Sequence, residues 1–275
     1  MLKWRRPAGM VSAGLVLLAG ACTRATPDGE PAPPSPVRPA WSAVALPAPA
    51  GPAGRLVLRD LVACGGRWYA VGGVAGADGT RPAAWASADA RTWTSLPTLP
   101  STYYGERNIL YAAGCRDGRL TPLGAKSGGA HGNPRVSSWR QRPDGALVEV
   151  RAHFELFGGP QAVNVFRITG GPAGWLIGGN RMSGAAVWVS PDAAAFRIVE
   201  REPRLATDPR GETWAFDVVP APGGGWLLSG SLLRPGRTDR DPLMWSSPDG
   251  SRWSRVAVPA TPEHEELRRV ATVGG

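Results

Sequence analysis

Residues 245–253 read Trp245-Ser246-Ser247-Pro248-Asp249-Gly250-Ser251-Arg252-Trp253. Proline presets one backbone angle, aspartate hydrogen-bonds amides just ahead of it, and glycine accepts a left-handed conformation, so the middle of this stretch is a tight turn between two strands. The pattern recurs as Trp188-Val189-Ser190-Pro191-Asp192 running to Phe196, and as Trp85-Ala86-Ser87-Ala88-Asp89 running to Trp93. A fourth copy, Trp139 to Leu147, carries Pro143-Asp144-Gly145 with the turn shifted by one residue. Their first tryptophans lie 54, 49 and 57 residues apart.

Ahead of each copy stands a second unit, a large apolar residue followed four positions later by glycine: Trp68 to Gly72, Leu120 to Gly124, Trp175 to Gly179 and Trp226 to Gly230. Ahead of that is a further β-like run: Leu56 to Ala63, Asn108 to Ala112, Ala162 to Ile168 and Trp214 to Val219. Four strands in each repeat of about 50 residues is the size of a β-propeller blade. The fold class is therefore all-β, a propeller of four-stranded blades, with blades near 55–97, 107–150, 162–200 and 213–259.

The Ser-Pro-Asp-Gly-x-x-Trp of Ser247 to Trp253 resembles the Asp-box, or BNR, repeat of sialidase-like propellers, over roughly residues 41–275. The sialidase motif usually has one more residue between its Ser and Trp, so the likeness is to the broad superfamily and speaks for fold more than activity. In this reading Asp89, Asp144, Asp192 and Asp249 cap turns, one per blade and far apart, while Trp93, Phe196 and Trp253 pack between blades.

Both ends carry partial repeats. Trp41 to Ala48 lines up with Trp253 to Ala260 and reads as a detached closing strand; Leu267 to Gly275 lines up with Leu58 to Gly66 and reads as the first strand of a fifth blade at 265–275. The expectation is a ring cut short at its C-terminal end; the alternative is a native four-bladed arc with exposed sheet faces.

Residues 1–21 read as a signal peptide, with Lys3, Arg5 and Arg6 before an apolar run, Ala8 to Ala21, too short to span a bilayer. Leu18-Ala19-Gly20-Ala21-Cys22 resembles the lipobox of bacterial lipoproteins, which implies a lipid on Cys22 and a place on the outer face of the cytoplasmic membrane or cell surface. The alternative is an ordinary secreted protein cleaved after Ala21. Residues 22–40, with Pro31, Pro33, Pro34, Pro36 and Pro39, cannot bury a core and read as an extended tether of up to roughly 55 Å.

The 275 residues are 43% hydrophobic and 19% charged, which excludes a disordered acidic chain and a polytopic membrane protein. The formal charge of +9 falls to +6 without the signal and rests on arginine, since Lys3 and Lys126 are the only lysines. With an extracytoplasmic address and no aromatic-basic platform, nucleic acid is not expected as a partner.

Cys64 and Cys115 stand near the ends of first strands in neighbouring repeats. In an oxidising compartment they can pair as a disulfide or remain as buried thiols. His131, His153 and His264 are scattered, so no metal or cofactor site is read. Gly72-Gly73-Val74-Ala75-Gly76 follows a strand with no helix behind it and is a turn, not a nucleotide loop.

Ligands of propellers engage the face where blade-to-blade loops meet the loops between second and third strands. Tyr103, Tyr104, Glu106, Arg107, Arg210 and Arg237 are the candidates there, with His153-Phe154-Glu155 alongside. Sialidase-like chemistry would call for an arginine cluster, a tyrosine nucleophile with a carboxylate base, and an acid. Phe166-Arg167-Ile168-Thr169 and Phe196-Arg197-Ile198-Val199 echo that family's Phe-Arg-Ile-Pro signature, but read as strand alternation with arginine outward. The leading function is a cell-surface binding or scaffold module for a glycan, cell-wall or protein ligand. A sialidase-like glycoside hydrolase, or other glycan-processing enzyme, is the alternative; an assembly factor for a membrane complex is a third reading.

Overall fold

The computed structural model describes residues 36, 38–128 and 134–272. Cys22, the lipobox and most of the tether lie outside these residues. Contacts divide the chain into residues 1–42 and 43–275. In the first unit the described residues have no regular structure, and Trp41 is exposed.

The second unit is a propeller of four sheets. Blade 1 comprises β1 (Arg55–Cys64), β2 (Arg67–Gly76), β3 (Gly79–Ser87) and β4 (Thr94–Ser95); β5 (Thr98–Leu99) follows it. Blade 2 comprises β6 (Ile109–Arg116), β7 (Arg119–Lys126), β8 (Arg135–Gln141) and β9 (Leu147–Val150). A single helical turn, α1 (Phe154–Phe157), leads to blade 3: β10 (Ala162–Gly171), β11 (Gly174–Arg181), β12 (Gly184–Ser190) and β13 (Arg197–Val199). Blade 4 is β14 (Glu212–Pro220), β15 (Trp226–Leu233), β16 (Arg240–Ser247) and β17 (Ser254–Val256). Within each blade the strands run in chain order and antiparallel; β5 adds a short parallel edge to β9, so the second sheet has five strands.

The recurring glycine four positions after a large apolar residue has a steric cause. Gly72, Gly124, Gly179 and Gly230 each pair with the residue just before a β-bulge in their own blade's first strand. A Cβ at these positions would collide with the Val57, Asn164 or Trp214 carbonyl oxygen, or in blade 2 with Asn108 Oδ1. The bulge presses the first strand onto the second, and only glycine leaves room.

The third-strand tryptophans Trp85, Trp139, Trp188 and Trp245 are completely buried. Each indole Nε1 donates to the segment entering its own blade: to Pro47 O (2.8 Å), Asn108 Oδ1 (3.2 Å), Leu156 O (2.6 Å) and Arg204 O (2.8 Å). A buried indole needs a partner for its N–H, and here that partner fixes the entry of the chain. Apolar cores fill the spaces between neighbouring blades, Trp226, Trp245 and Trp253 of blade 4 packing against Leu176 and Val187 of blade 3. Cys64 and Cys115 are joined by a disulfide that ties the first strands of blades 1 and 2.

The two ends depart from the strands read in the sequence. Residues 43–54 form no strand; Leu46 packs on the blade 1 core, and Pro47 accepts from Trp85. That segment takes the part that Leu156 and Arg204 take for later blades, an entry linker whose carbonyl is used by a tryptophan. Residues 257–272 also form no strand, yet Leu267 N donates to Gly230 O and Val270 N to Asp217 Oδ2, so this stretch lies along blade 4.

Candidate functional site

Up-and-down strands place the blade-to-blade linkers and the loops between second and third strands on one face. On that face, between blades 2 and 3, is a cleft of about 430 Å³. Its walls come from Thr102 and Tyr104 of the linker entering blade 2, Arg135 to Ser137 at the start of β8, and Glu149 to Gly158 running from β9 through α1.

Glu149 holds the cleft together. It shares its strand face with Leu147 and is buried. Oε2 accepts from Ser101 N (2.7 Å) and Thr102 N (2.9 Å), and Oε1 from Thr102 Oγ1 (2.7 Å) and Ser137 Oγ (2.8 Å). A buried carboxylate persists only with such partners, and here they clamp the linker at 101–107 to the blade. Gly105 is glycine because a Cβ would collide with this carboxylate.

The mouth of the cleft is aromatic and cationic. The Arg135 guanidinium lies 4.4 Å from the ring centroid of Phe154 and 5.6 Å from that of Tyr104, within cation–π range. No carboxylate holds Arg135 among the described residues, and its buried Nε has no hydrogen-bond partner. Both rings remain open to solvent, Tyr104 at 37% and Phe154 at 52% exposure. Nearby, Arg107 lies 4.0 Å over the Tyr103 ring and pairs with Glu106 at 3.1 Å. His153, exposed, sits 3.5 Å from Glu155.

Of the six residues singled out on this face, Tyr103, Tyr104, Glu106 and Arg107 come together at the cleft or beside it. Arg210 and Arg237 do not line it: Arg210 pairs with Asp208, and Arg237 with Asp241 (3.5 Å) and Pro262 O (2.8 Å), in the loops of blade 4. Neither tyrosine hydroxyl hydrogen-bonds a carboxylate among the described residues. Arg135 and Glu149 were not singled out; the signal for Glu149 was its parity with Leu147 in a strand whose inward face is apolar.

A second cluster lies on the axis, where Arg167 extends inward and not outward. Its Nη1 donates to Asp60 Oδ2 at 2.7 Å, and its Nε lies 3.8 Å from Asp217 Oδ1, linking first strands of blades 1, 3 and 4. Burial raises the Asp217 carboxyl above its ordinary range and the negative Asp60 adds to this, while the Val270 and Val218 amides and Arg167 pull it down. Asp60 accepts from Leu61 N and Ala113 N, and Asp217 from Val218 N and Val270 N. Both carboxylates are thus committed to backbone amides and arginine, an arrangement that fastens strands.

The turn aspartates behave as local caps. Asp89 accepts from Arg91 N and Thr92 N, Asp192 from Ala194 N, and Asp249 from Ser251 N and Arg252 N, all at 2.7–2.9 Å, with a serine two residues earlier also donating in each blade. These bonds hold all three carboxyls below the usual range. Asp144, in the shifted copy, accepts only from Ala146 N and lies near Arg142. Trp93 and Trp253 donate their indole N–H to Ala90 O and Gly250 O across the same turns, and Phe196 packs on the core between blades 2 and 3.

No group of three or more metal-ligating side chains occurs among the described residues, and no helix there is long and apolar enough to cross a membrane. No protein-family model matches the chain, and no curated protein matches it. Among the solved structures it resembles are several glycoside hydrolases. One titled simply a glycoside hydrolase aligns at 11% identity and TM-score 0.45, covering 78% of this chain and 77% of its own. A family 117 glycoside hydrolase from Zobellia galactanivorans aligns at 13% identity and TM-score 0.45, covering 75% and 71%. A Bombyx mori GH32 β-fructofuranosidase aligns at 12% identity and TM-score 0.46, covering 78% of this chain and 50% of its own. At these values the alignments assign no function.

Proposed function

We propose that the mature protein is held at the outer face of a bacterial membrane by lipid on Cys22, and that its propeller binds a saccharide in the cleft between blades 2 and 3. One observation carries the ligand class: an Arg135 guanidinium within cation–π range of two half-open aromatic rings, at the mouth of a cleft of about 430 Å³. A sugar ring offers an apolar C–H face to lie on an aromatic ring and hydroxyl or carboxylate oxygens at its edge for an arginine fork. The cleft has the size of a small-ligand site. Glycan-array and calorimetric titration of the tether-plus-propeller chain tests this. Binding to an acidic or neutral oligosaccharide that weakens at least tenfold in Arg135→Gln and Tyr104→Ala is expected; equal binding by the variants, or none by the parent, refutes it. Labelling cells with a palmitate analogue tests the anchor, the label disappearing in Cys22→Ser.

The second reading is glycan processing, favoured by Asp60 and Asp217 meeting around Arg167, with burial raising the Asp217 carboxyl, since two carboxyls in unlike surroundings are the groups that acid–base chemistry on a glycosidic bond needs. Against it stand the amide bonds that already occupy both groups. Turnover of a fluorogenic sialoside that is lost in Asp217→Asn would establish this reading at the axis, and loss in Tyr104→Phe or Arg107→Ala instead would place a sialidase-like chemistry in the cleft.

A further inference from the structure

On the face opposite the cleft, where the turns between first and second strands meet those between third and fourth, blades 2 and 3 form an open pocket of about 350 Å³, with Arg119 and Arg140 exposed at its rim. Three arginines line it: Arg116, Arg119 and Arg140. Arg116 and Arg119 stand directly opposite each other across the β6–β7 pairing, a like-charge arrangement that weakens a hairpin. Arg116 is held by Pro191 O at 2.7 Å and by Asp117 at 3.4 Å. Arg119 and Arg140 have no side-chain hydrogen bond or ion pair among the described residues. Thr121, buried, also lines the pocket. Two carboxylates, Asp117 paired with Arg116 and Asp192 capping its turn, offset two of the three arginines, so the lining carries one net positive charge with Arg119 and Arg140 unpaired.

We infer that this pocket is an anion site for a phosphate ester. Two unpaired guanidinium forks and a third fork beside them offer donors from several directions, which suits a tetrahedral oxyanion better than a flat carboxylate. The volume exceeds that of a bare phosphate, and the apolar edges of Trp175, Pro191 and Leu120 leave room for the carbon body that carries it. Such a group can come from a phospholipid headgroup or from a soluble phosphate ester. The site is independent of the saccharide cleft.

The test uses the chain with its tether, titrated calorimetrically at about 0.15 M salt with sn-glycerol 3-phosphate, and sedimented with phosphatidylglycerol–phosphatidylcholine or pure phosphatidylcholine vesicles. Binding of the soluble ester identifies a soluble source; binding only to phosphatidylglycerol vesicles identifies a headgroup. In either case Arg119→Gln with Arg140→Gln should weaken binding at least tenfold. The control pair Arg91→Gln with Arg252→Gln, which removes the same charge from turns on this face outside the pocket, should change it less than twofold. Equal losses from the two pairs would mean diffuse attraction and overturn the site, as would the absence of binding to both probes.

Discussion

The disulfide between Cys64 and Cys115 joins residues 51 apart in sequence. Without it, the unfolded chain recovers the freedom of a loop of that length. In the chain-entropy account this freedom grows with the logarithm of loop length, and for about 50 residues it amounts to about 4 kcal/mol at 25 °C. A domain of this size moves in melting temperature by roughly 2–4 °C per kcal/mol, so the Cys64→Ala/Cys115→Ala protein should melt roughly 8–16 °C lower. Reduction of the parent by dithiothreitol should give the same shift, since the bond and not the sulfur atoms is responsible. The assay is thermal unfolding by circular dichroism, with thiol titration in denaturant confirming no free thiol in the parent. A shift under about 3 °C, or two titratable thiols in the unreduced parent, would refute the reasoning.

Gly72→Ala should cost more than about 2 kcal/mol in denaturant unfolding, because its methyl group meets the Val57 carbonyl on a strand that cannot retreat; a loss under about 0.5 kcal/mol would show the bulge to be pliable. Ala90 holds a left-handed φ of 57° directly after Asp89, where blades 2 and 4 have Gly145 and Gly250, so Ala90→Gly should stabilise by about 1 kcal/mol, and destabilisation would contradict that account. Amide bonds hold the Asp192 and Asp249 carboxyls below their ordinary range. Their stabilisation is therefore complete above about pH 4 and is lost as pH falls through the lowered native values. Urea titrations between pH 5 and 2 should show a shallower acid loss in Asp192→Asn/Asp249→Asn than in the parent. Asp217 runs the other way: burial raises its carboxyl, so its contribution is present at low pH and lost as pH rises through the raised value.

The blades were legible because turn chemistry and the tryptophan spacing are local signals repeated four times. The steric demand at Gly72, Gly124, Gly179 and Gly230 left its own trace in composition, although its cause, a bulge in the partner strand, is visible only in three dimensions. Residues 41–48 and 267–272 copy strand sequences yet form no strand, because pairing is a property of two segments and not of one. Within the site, Tyr103 to Arg107 stood out as exposed aromatic and charged loop residues. Arg135 did not, since an arginine at a strand start has no sequence mark that says which rings it will meet. Nor did Asp60 and Asp217, and Arg167 reads as outward-facing in the sequence; the three lie 107 and 50 residues apart along the chain and meet only once the blades are arranged around the axis.

The bulge in each first strand separates two jobs that most strands perform together. The glycine opposite it fixes the backbone, and the residue just after it is an aspartate in two blades, an arginine in a third and an alanine in the fourth (Asp60, Asp217, Arg167, Ala112). The post-bulge slot is thus where neighbouring blades meet: in three blades its occupant joins the charged cluster on the axis, and in blade 2 it joins the apolar core shared with blade 3. The charged slots, Asp60, Arg167 and Asp217, are tied to one another across blades, so changing one changes the balance for the rest, whereas Ala112 is packed in the core between blades 2 and 3 and has no room for a larger or charged side chain.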